Sequence, residues 1–190
     1  LKAAVVPQGG APGANPGRLL ERLERVVLVD PQDRPVGQGD KLQVHRDGQL
    51  HRAFSILIFN TRGELLLQQR AKGKYHFAGR WSNSCCGHPR PGEATYRAAL
   101  RRMGEELGFQ SPLTEELRLV YRAEDPASGL IEHEYLHVFR GCFVGEPRPD
   151  PEEVGAWRWM SVPGVRRALA RHPGAFTPWF ALLVDRMLRR

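Results

Sequence analysis

The sequence predicts an α+β fold in which helices flank a mixed β-sheet, as in an α/β/α sandwich. Strand-like and helix-like segments interleave along the 190 residues, which is typical of a sheet covered by helices. The clearest pair of strands is joined by a short turn and is therefore antiparallel, and the segments do not repeat as regular βαβ units. Because this length corresponds to one domain, we expect a single mixed sheet.

The first 18 residues are rich in Gly, Pro, Ala and Asn and have no hydrophobic periodicity. Such a segment cannot bury enough apolar surface to offset its ordering entropy, so we expect residues 1–18 to be a disordered leader and residues 19–190 to form the domain. The leader lacks the apolar core of a secretory signal, and no apolar run approaches the ~18 residues of a membrane span. We therefore expect a cytoplasmic protein without membrane association.

Three strands are predicted in the first half of the domain. Arg25–Asp30 is a short apolar run ended by prolines, and Phe54–Phe59 and Leu65–Gln69 are two further runs. The residues that join the latter two, Asn60–Gly63, include the Asn and Gly that favour a tight turn. We expect a β-hairpin at this point.

A helix is predicted over Glu93–Leu107. Its apolar residues recur with helical spacing, and Gly108 suits a C-terminal cap. The predicted buried stripe consists of Tyr96, Leu100, Met103 and Leu107.

The second half of the domain contains one long alternating segment, Glu132–Val144. Side chains two positions apart on a strand share a face, so Glu132 and Glu134 are predicted to lie side by side. Three further elements are expected: a strand over Ala156–Met160, a helix from Ser161 to about Arg171, and a helix from Thr177 to Arg190.

The net charge indicates the kind of partner to expect, and the cysteine count indicates the redox state of the cysteines. Twenty-eight Lys and Arg residues against 21 Asp and Glu residues give a net charge of +7, which favours an anionic partner. Nucleic acid, an anionic membrane and a phosphorylated metabolite all fit this charge, and charge alone does not choose among them; we find no basic stripe interleaved with aromatic residues that would indicate nucleic acid. The three cysteines are an odd number in a chain large enough to fold without disulfides, so they are expected to be thiols.

A glycine-rich loop enters the predicted helix after Gly87, and the helix carries acidic residues on its polar face. Arg101, Glu105 and Glu106 stand at i, i+4 and i+5, an arrangement that can hold Mg²⁺ and a diphosphate or can be an ordinary solvated surface. The string from Gly87 to Phe109 resembles the Nudix signature. Arg102 stands where Nudix hydrolases have a glutamate, which makes the metal cluster less negative by two units and disfavours hydrolysis.

A second motif, Trp-Ser-Asn-Ser-Cys-Cys-Gly-His-Pro, covers residues 81–89. A cysteine two residues before a histidine can be a nucleophile, a proton donor, a metal ligand or an inert buried residue, and the spacing does not choose between Cys85 and Cys86. The motif resembles the active-site loop of the type 1 isopentenyl-diphosphate isomerases, a Nudix-fold family that shares the arginine substitution. That resemblance places the catalytic cysteine at Cys86.

The resemblance extends from about residue 25 to residue 188 and implies a set of site residues. It implies that Cys86, Glu134 and Tyr121 are catalytic and that His45, His51, His88, Glu132 and Glu134 bind one divalent ion, Mn²⁺ or alternatively Zn²⁺ or Mg²⁺. It further implies that Glu106 binds Mg²⁺ with the diphosphate, and that Lys41, Arg70, Lys74, Arg102 and Trp179 contact the substrate.

The activity implied by the resemblance is the reversible conversion of isopentenyl diphosphate to dimethylallyl diphosphate by a 1,3-proton shift, in a monomer. Two alternatives remain open. A Nudix pyrophosphohydrolase would share the fold and Mg²⁺ but would require the full acidic signature. A non-catalytic, metal-stabilised binding module would leave Tyr121 and Trp179 without a role.

Overall fold

The structure, a computed structural model, describes residues 4–5 and 24–188. The strands are β1 (Ala4–Val5), β2 (Arg25–Val29), β3 (Pro35–Asp40), β4 (His51–Phe59), β5 (Glu64–Arg70), β6 (Trp81–Ser82), β7 (Cys85–Gly87), β8 (Leu113–Glu124), β9 (Ile131–Cys142) and β10 (Val154–Ser161). The helices are α1 (Lys41–Asp47), α2 (Thr95–Leu107), α3 (Val162–Arg171) and α4 (Pro178–Met187), with a 3₁₀ turn at Pro173–Ala175. Two residues of the predicted leader thus form β1, which pairs with β10, and the remainder of 1–18 lies outside the described residues.

The strands form one mixed sheet. Its main path runs β1-β10-β5-β4-β2-β3, and β9 pairs in parallel with β4 along the whole of that strand. The other strand pairs within the described residues are antiparallel, and β8 extends the sheet beyond β9. The mixed sheet expected from the sequence is confirmed.

Apolar clusters cover both faces of the sheet. On one face Leu57 and Leu136 pack with Phe180 and Leu183 of α4. On the other face Ile56 packs against residues of α2. Helices therefore lie on both sides, which gives the predicted α/β/α layering.

The predicted hairpin is present, but its strands diverge at once. Asn60 and Gly63 close the turn through a backbone hydrogen bond, and Gly63 has a φ of +70°. The one ladder position that joins β4 and β5 directly is Phe59 opposite Leu65. The strands separate because β7 pairs with β4 over Phe54–Ile56, on the edge of β4 that β9 does not occupy. The hairpin therefore opens a gap in which the β7 loop lies.

The helix α2 begins two residues later than predicted, and its buried face includes Met103 and Leu107 as predicted but not Tyr96. Ala98, Ala99, Met103 and Leu107 are buried, together with Glu106. Tyr96 is 40% exposed, so its assignment to the buried stripe is wrong. The buried face is therefore centred on the two alanines and Met103, and Glu106 lies on it as well.

The C-terminal predictions are confirmed in outline. Ser161 caps α3 by accepting a hydrogen bond from the Gly164 amide. Thr177 precedes α4 but makes no capping hydrogen bond with its side chain, and its hydroxyl instead lies 2.9 Å from that of Ser82. The helix ends at Met187 rather than Arg190, and the last two residues lie outside the described part of the chain.

Candidate active site and metal centre

The parallel pairing of β4 with β9 creates the centre of the site. It places His51 opposite Glu134, and the alternation of β9 puts Glu132 on the same buried face. The short helix α1 contributes His45, and the loop after β7 contributes His88. The side-chain ligand atoms of His45, His51, His88 and Glu132 lie within 4.8 Å of one another.

The hydrogen bond of His45 Nδ1 leaves its second nitrogen, Nε2, to face the centre of the cluster. Its Nδ1 lies 2.6 Å from the Lys41 carbonyl oxygen, which accepts only, so Nδ1 carries the proton. Nε2, which is the lone-pair nitrogen when the ring is neutral, lies 3.2 Å from Glu132 Oε2. Both atoms are buried, and neither has a hydrogen-bond partner among the described residues. A divalent cation between these two buried atoms would satisfy both of them.

His51 and His88 add nitrogen ligands to the same point. His51 Nδ1 lies 2.9 Å from the Gln49 carbonyl oxygen, which again leaves Nε2 as the acceptor. This Nε2 is 3.2 Å from Nε2 of His88, which is 3.0 Å from Glu134 Oε1. Burial lowers the pKa of His51 to about 4, and the neighbouring His45 adds to this effect. Neutral imidazoles and carboxylates suit a divalent metal ion, so this cluster could hold one.

The two carboxylates of the centre have opposite electrostatic environments. Burial favours protonation of Glu132, but positive charge on the His45 and His76 rings and hydrogen bonds from them outweigh burial, so the pKa lies well below its usual range. Burial and the charge of Glu132 raise the pKa of Glu134 well above its usual range. Tyr121 donates a hydrogen bond of 2.7 Å to Glu134 Oε2. A bound cation would favour the charged form of Glu134.

The two adjacent cysteines lie in different environments. Cys85 is fully buried in the apolar cluster under α2, whereas the side chain of Cys86 lines the pocket. The Cys86 thiol donates to Asn83 Oδ1 at 3.2 Å and lies 3.3 Å from the Ser55 hydroxyl. Burial raises the pKa of Cys86 to about 12, so its sulfur is protonated at neutral pH. Asn83 is itself fixed, because its amide donates to the Ile56 and Cys85 carbonyls.

Several basic side chains also line the pocket. Lys41, Arg70, Lys74 and Arg102 line it, together with Glu106. Arg102 donates to Glu106 at 2.6 Å and to Glu105 at 2.9 Å, and it lies 3.2 Å from Glu153. The arginine that replaces a signature glutamate therefore neutralises neighbouring carboxylates. This arrangement is unfavourable for the multi-carboxylate cluster of a hydrolase.

Trp179 at the start of α4 closes the pocket. It is 3% exposed, and its indole nitrogen is buried without a hydrogen-bond partner among the described residues. The Arg70 guanidinium carbon lies 5.7 Å from its ring centroid, and Phe77 contacts the ring edge-on. Trp179 thus presents an aromatic face in a nearly dry environment.

The structure brings all the predicted site residues together. Eleven of them line the pocket: Lys41, Arg70, Lys74, Cys86, His88, Arg102, Glu106, Tyr121, Glu132, Glu134 and Trp179. His45 and His51 are fully buried at the metal cluster.

Comparison with known proteins identifies the family of this chain. The NUDIX domain profile matches residues 49–180. The chain is 52% identical over 163 residues to the isopentenyl-diphosphate Delta-isomerase of Burkholderia multivorans, which covers 86% of this chain and 92% of the relative. The enzyme of the same name from Halorhodospira halophila is 49% identical, with 86% and 94% coverage. This chain belongs to the isopentenyl-diphosphate Delta-isomerase family.

The family profile identifies the fold of this isomerase family member as the Nudix fold, and solved structures share it. Its structure matches that of DR0079 from Deinococcus radiodurans with a TM-score of 0.72 at 22% identity, covering 87% of this chain and all of that one. The MutT protein from Methanosarcina mazei matches with a TM-score of 0.59 at 20% identity, with 74% and 96% coverage. Among the helices of the described residues, none has the length and apolar character needed to cross a bilayer.

Several residues of this isomerase site were not identified from the sequence. Ser55 and Asn83 contact the Cys86 thiol, Glu153 contacts Arg102, and His76 contacts Glu132. Asn83 stands inside the recognised cysteine loop, so its position was a usable signal. His76 stands in an irregular segment between β5 and β6, where no spacing pattern indicates a role.

Proposed function

We propose that this chain interconverts isopentenyl diphosphate and dimethylallyl diphosphate by adding a proton at one end of an allylic unit and removing one at the other. The observation that carries the proposal is the composition of one pocket. It contains a thiol and a carboxylate, Cys86 and Glu134, beside a group of cations that suits a diphosphate. The relatives named above carry the name of this activity.

The proton shift requires two exchanging groups, and we assign them to Cys86 and Glu134. One delivers a proton to the terminal alkene carbon, which leaves a tertiary cation at the neighbouring carbon. The other removes a proton from the allylic carbon, and the electron pair of that C–H bond forms the new double bond. Cys86 begins as a thiol because its pKa is about 12. Tyr121 holds Glu134 through the hydrogen bond to Oε2.

Trp179 is assigned to the cationic intermediate. A cation held over an indole in a dry site is stabilised by roughly 2 kcal/mol or more. The near-complete burial of Trp179 also excludes water, which would otherwise trap the cation as an alcohol. Lys41, Arg70, Lys74 and Arg102 bind the diphosphate and orient the hydrocarbon chain toward Cys86.

Two metal ions are assigned to separate places. The unpaired acceptors of His45 and Glu132, with His51, His88 and Glu134, fit a divalent ion such as Mn²⁺, Zn²⁺ or Mg²⁺. Glu106 fits Mg²⁺, which prefers one or two carboxylates supplemented by substrate phosphates and water. When bound, the ions supply positive charge that polarises Glu134 and neutralises the diphosphate. The domain boundaries at 19–190, a monomeric state and a cytoplasmic location stay predictions.

The test is proton NMR of the purified protein in D₂O with isopentenyl diphosphate, Mg²⁺ and a trace of Mn²⁺, combined with a phosphate assay. Formation of deuterated dimethylallyl diphosphate without phosphate release is expected. Phosphate release without rearrangement would instead identify a hydrolase, and no change in a metal-loaded sample would refute the proposed activity.

A further inference from the structure

Each carboxylate of the metal centre uses its two oxygens differently. In Glu134, Oε1 faces His88 at 3.0 Å, while Oε2 accepts from the Tyr121 hydroxyl. In Glu132, Oε2 faces His45 at 3.2 Å and has no hydrogen-bond partner among the described residues. Its Oε1 contacts Nε2 of His76. One oxygen of each glutamate therefore points to the centre, and a side chain outside the ligand set holds the other.

The hydrogen bonding of His76 fixes its tautomer. A charged carboxylate only accepts hydrogen bonds, so the His76 nitrogen that contacts Glu132 Oε1 carries a proton. The other ring nitrogen, Nδ1, is buried without a partner among the described residues. A neutral ring leaves only a lone pair at that position, which costs less than a buried N–H without an acceptor. The His76 ring is therefore a donor to Glu132 in the same sense that Tyr121 is a donor to Glu134.

The surroundings of His76 hold its ring in place. The ring is 7% exposed and packs against Tyr75 and Phe77, at centroid distances of 4.3 and 5.7 Å. Its main-chain carbonyl accepts from Nε and Nη2 of Arg70, at 3.3 and 3.1 Å. The same residue thus connects a metal ligand with a cation of the diphosphate end.

We propose that His76 is a positioning residue of the metal centre, which holds Glu132 Oε1 by a hydrogen bond so that Oε2 is directed at the ion beside His45. The proposal rests on the metal centre of the proposed function. His76 is not a sixth ligand in this arrangement, because its proton-bearing nitrogen faces the carboxylate oxygen that points away from His45.

The experiment measures Mn²⁺ affinity, without substrate, from the free Mn²⁺ signal in electron paramagnetic resonance. Removing a partner that orients a metal ligand typically weakens binding about 10- to 100-fold, and we expect this loss for His76→Ala. Glutamine places an amide N–H near the position of the imidazole Nε2–H, so His76→Gln is expected to stay within about threefold of wild type. The shorter His76→Asn does not reach and should resemble the alanine variant. His172→Ala, at an exposed histidine, is the matched control and should bind normally.

The three substitutions separate a positioning role from simple packing. Wild-type affinity in His76→Ala, or equal losses in the Gln and Asn variants, would overturn the proposal. If the alanine variant does not fold, as judged by circular dichroism of the metal-free protein, the Gln and Asn comparison decides alone. Absence of Mn²⁺ binding by wild type would overturn the metal centre and this proposal with it. Normal binding without isomerisation would overturn only the proposed activity.

Discussion

Replacing Arg102 with methionine would leave a buried carboxylate without its main counter-charge. The Glu106 side chain is 6% exposed, and after the change its described direct contact would be the Gln68 amide at 3.2 Å, with Lys74 adding a more distant charge. Breaking a buried ion pair from one side typically costs about 3–5 kcal/mol. Because Lys74 partly compensates, we expect the free energy of unfolding to fall by about 3 kcal/mol.

The assay is urea unfolding of the metal-free protein at pH 7. Arg118→Met is the matched control, because Arg118 makes two hydrogen bonds to the Glu115 carboxylate, at 2.7 and 2.9 Å, but is 53% exposed. An exposed pair contributes about 0.2–1 kcal/mol, so the control should lose no more than that. Adding Glu106→Gln to Arg102→Met removes the uncompensated charge and should recover most of the lost stability. Equal losses in the Arg102 and Arg118 variants would refute the reasoning.

Three further changes test other parts of the site. Cys86→Ala is expected to abolish isomerisation in the D₂O assay and to leave the metal content unchanged. Its control, Cys85→Ala, should keep turnover but lose stability to thermal unfolding, because Cys85 is fully buried in the core. Turnover by Cys86→Ala would contradict the assignment of Cys86. Glu134→Gln should abolish turnover and also weaken metal binding, and elemental analysis showing full metal content would contradict its role as a ligand. For the pH dependence, the pKa of His51 is about 4 when folded and 6.5 when unfolded, so the unfolded chain binds more protons between these values. The neutral His51 ring therefore contributes about 3 kcal/mol to the free energy of unfolding of the metal-free protein. This contribution is complete above pH 6.5 and is lost as the pH falls toward 4. Urea unfolding at pH 7 and 4.5 measures this loss, and equal stability at the two values would contradict it.

The sequence predicted those parts of the molecule whose arrangement depends on a single strand or helix. The alternation of Glu132 and Glu134 is a property of any extended strand, so their shared face followed from spacing. The end of α2 could also be predicted from one residue near the helix terminus, Gly108. Gly108 has a φ of +74°, and a Cβ there would lie 2.4 Å from the Arg148 carbonyl oxygen, so glycine is required.

Features that depend on distant segments were not predictable from spacing. The divergence of β4 and β5 results from β7 occupying an edge of β4, and β7 follows that strand by more than twenty residues. The exposure of Tyr96 depends on how closely α2 approaches the sheet, which periodicity does not report. His76 has a role only because its loop folds over β9. In each case the deciding partner is remote in the sequence.

The parallel ladder between β4 and β9 also determines when the metal centre can exist during folding. His51 and His88 are 37 positions apart, and His88 and Glu134 are 46 positions apart, so no short fragment contains the ligand set. Parallel pairing of remote strands forms late, because loop closure opposes it until many contacts are made together. We therefore expect the complete ligand set to assemble only after β9 docks on β4. A chain truncated before β9 would lack Glu132 and Glu134 and keep only the three histidines of the predicted set.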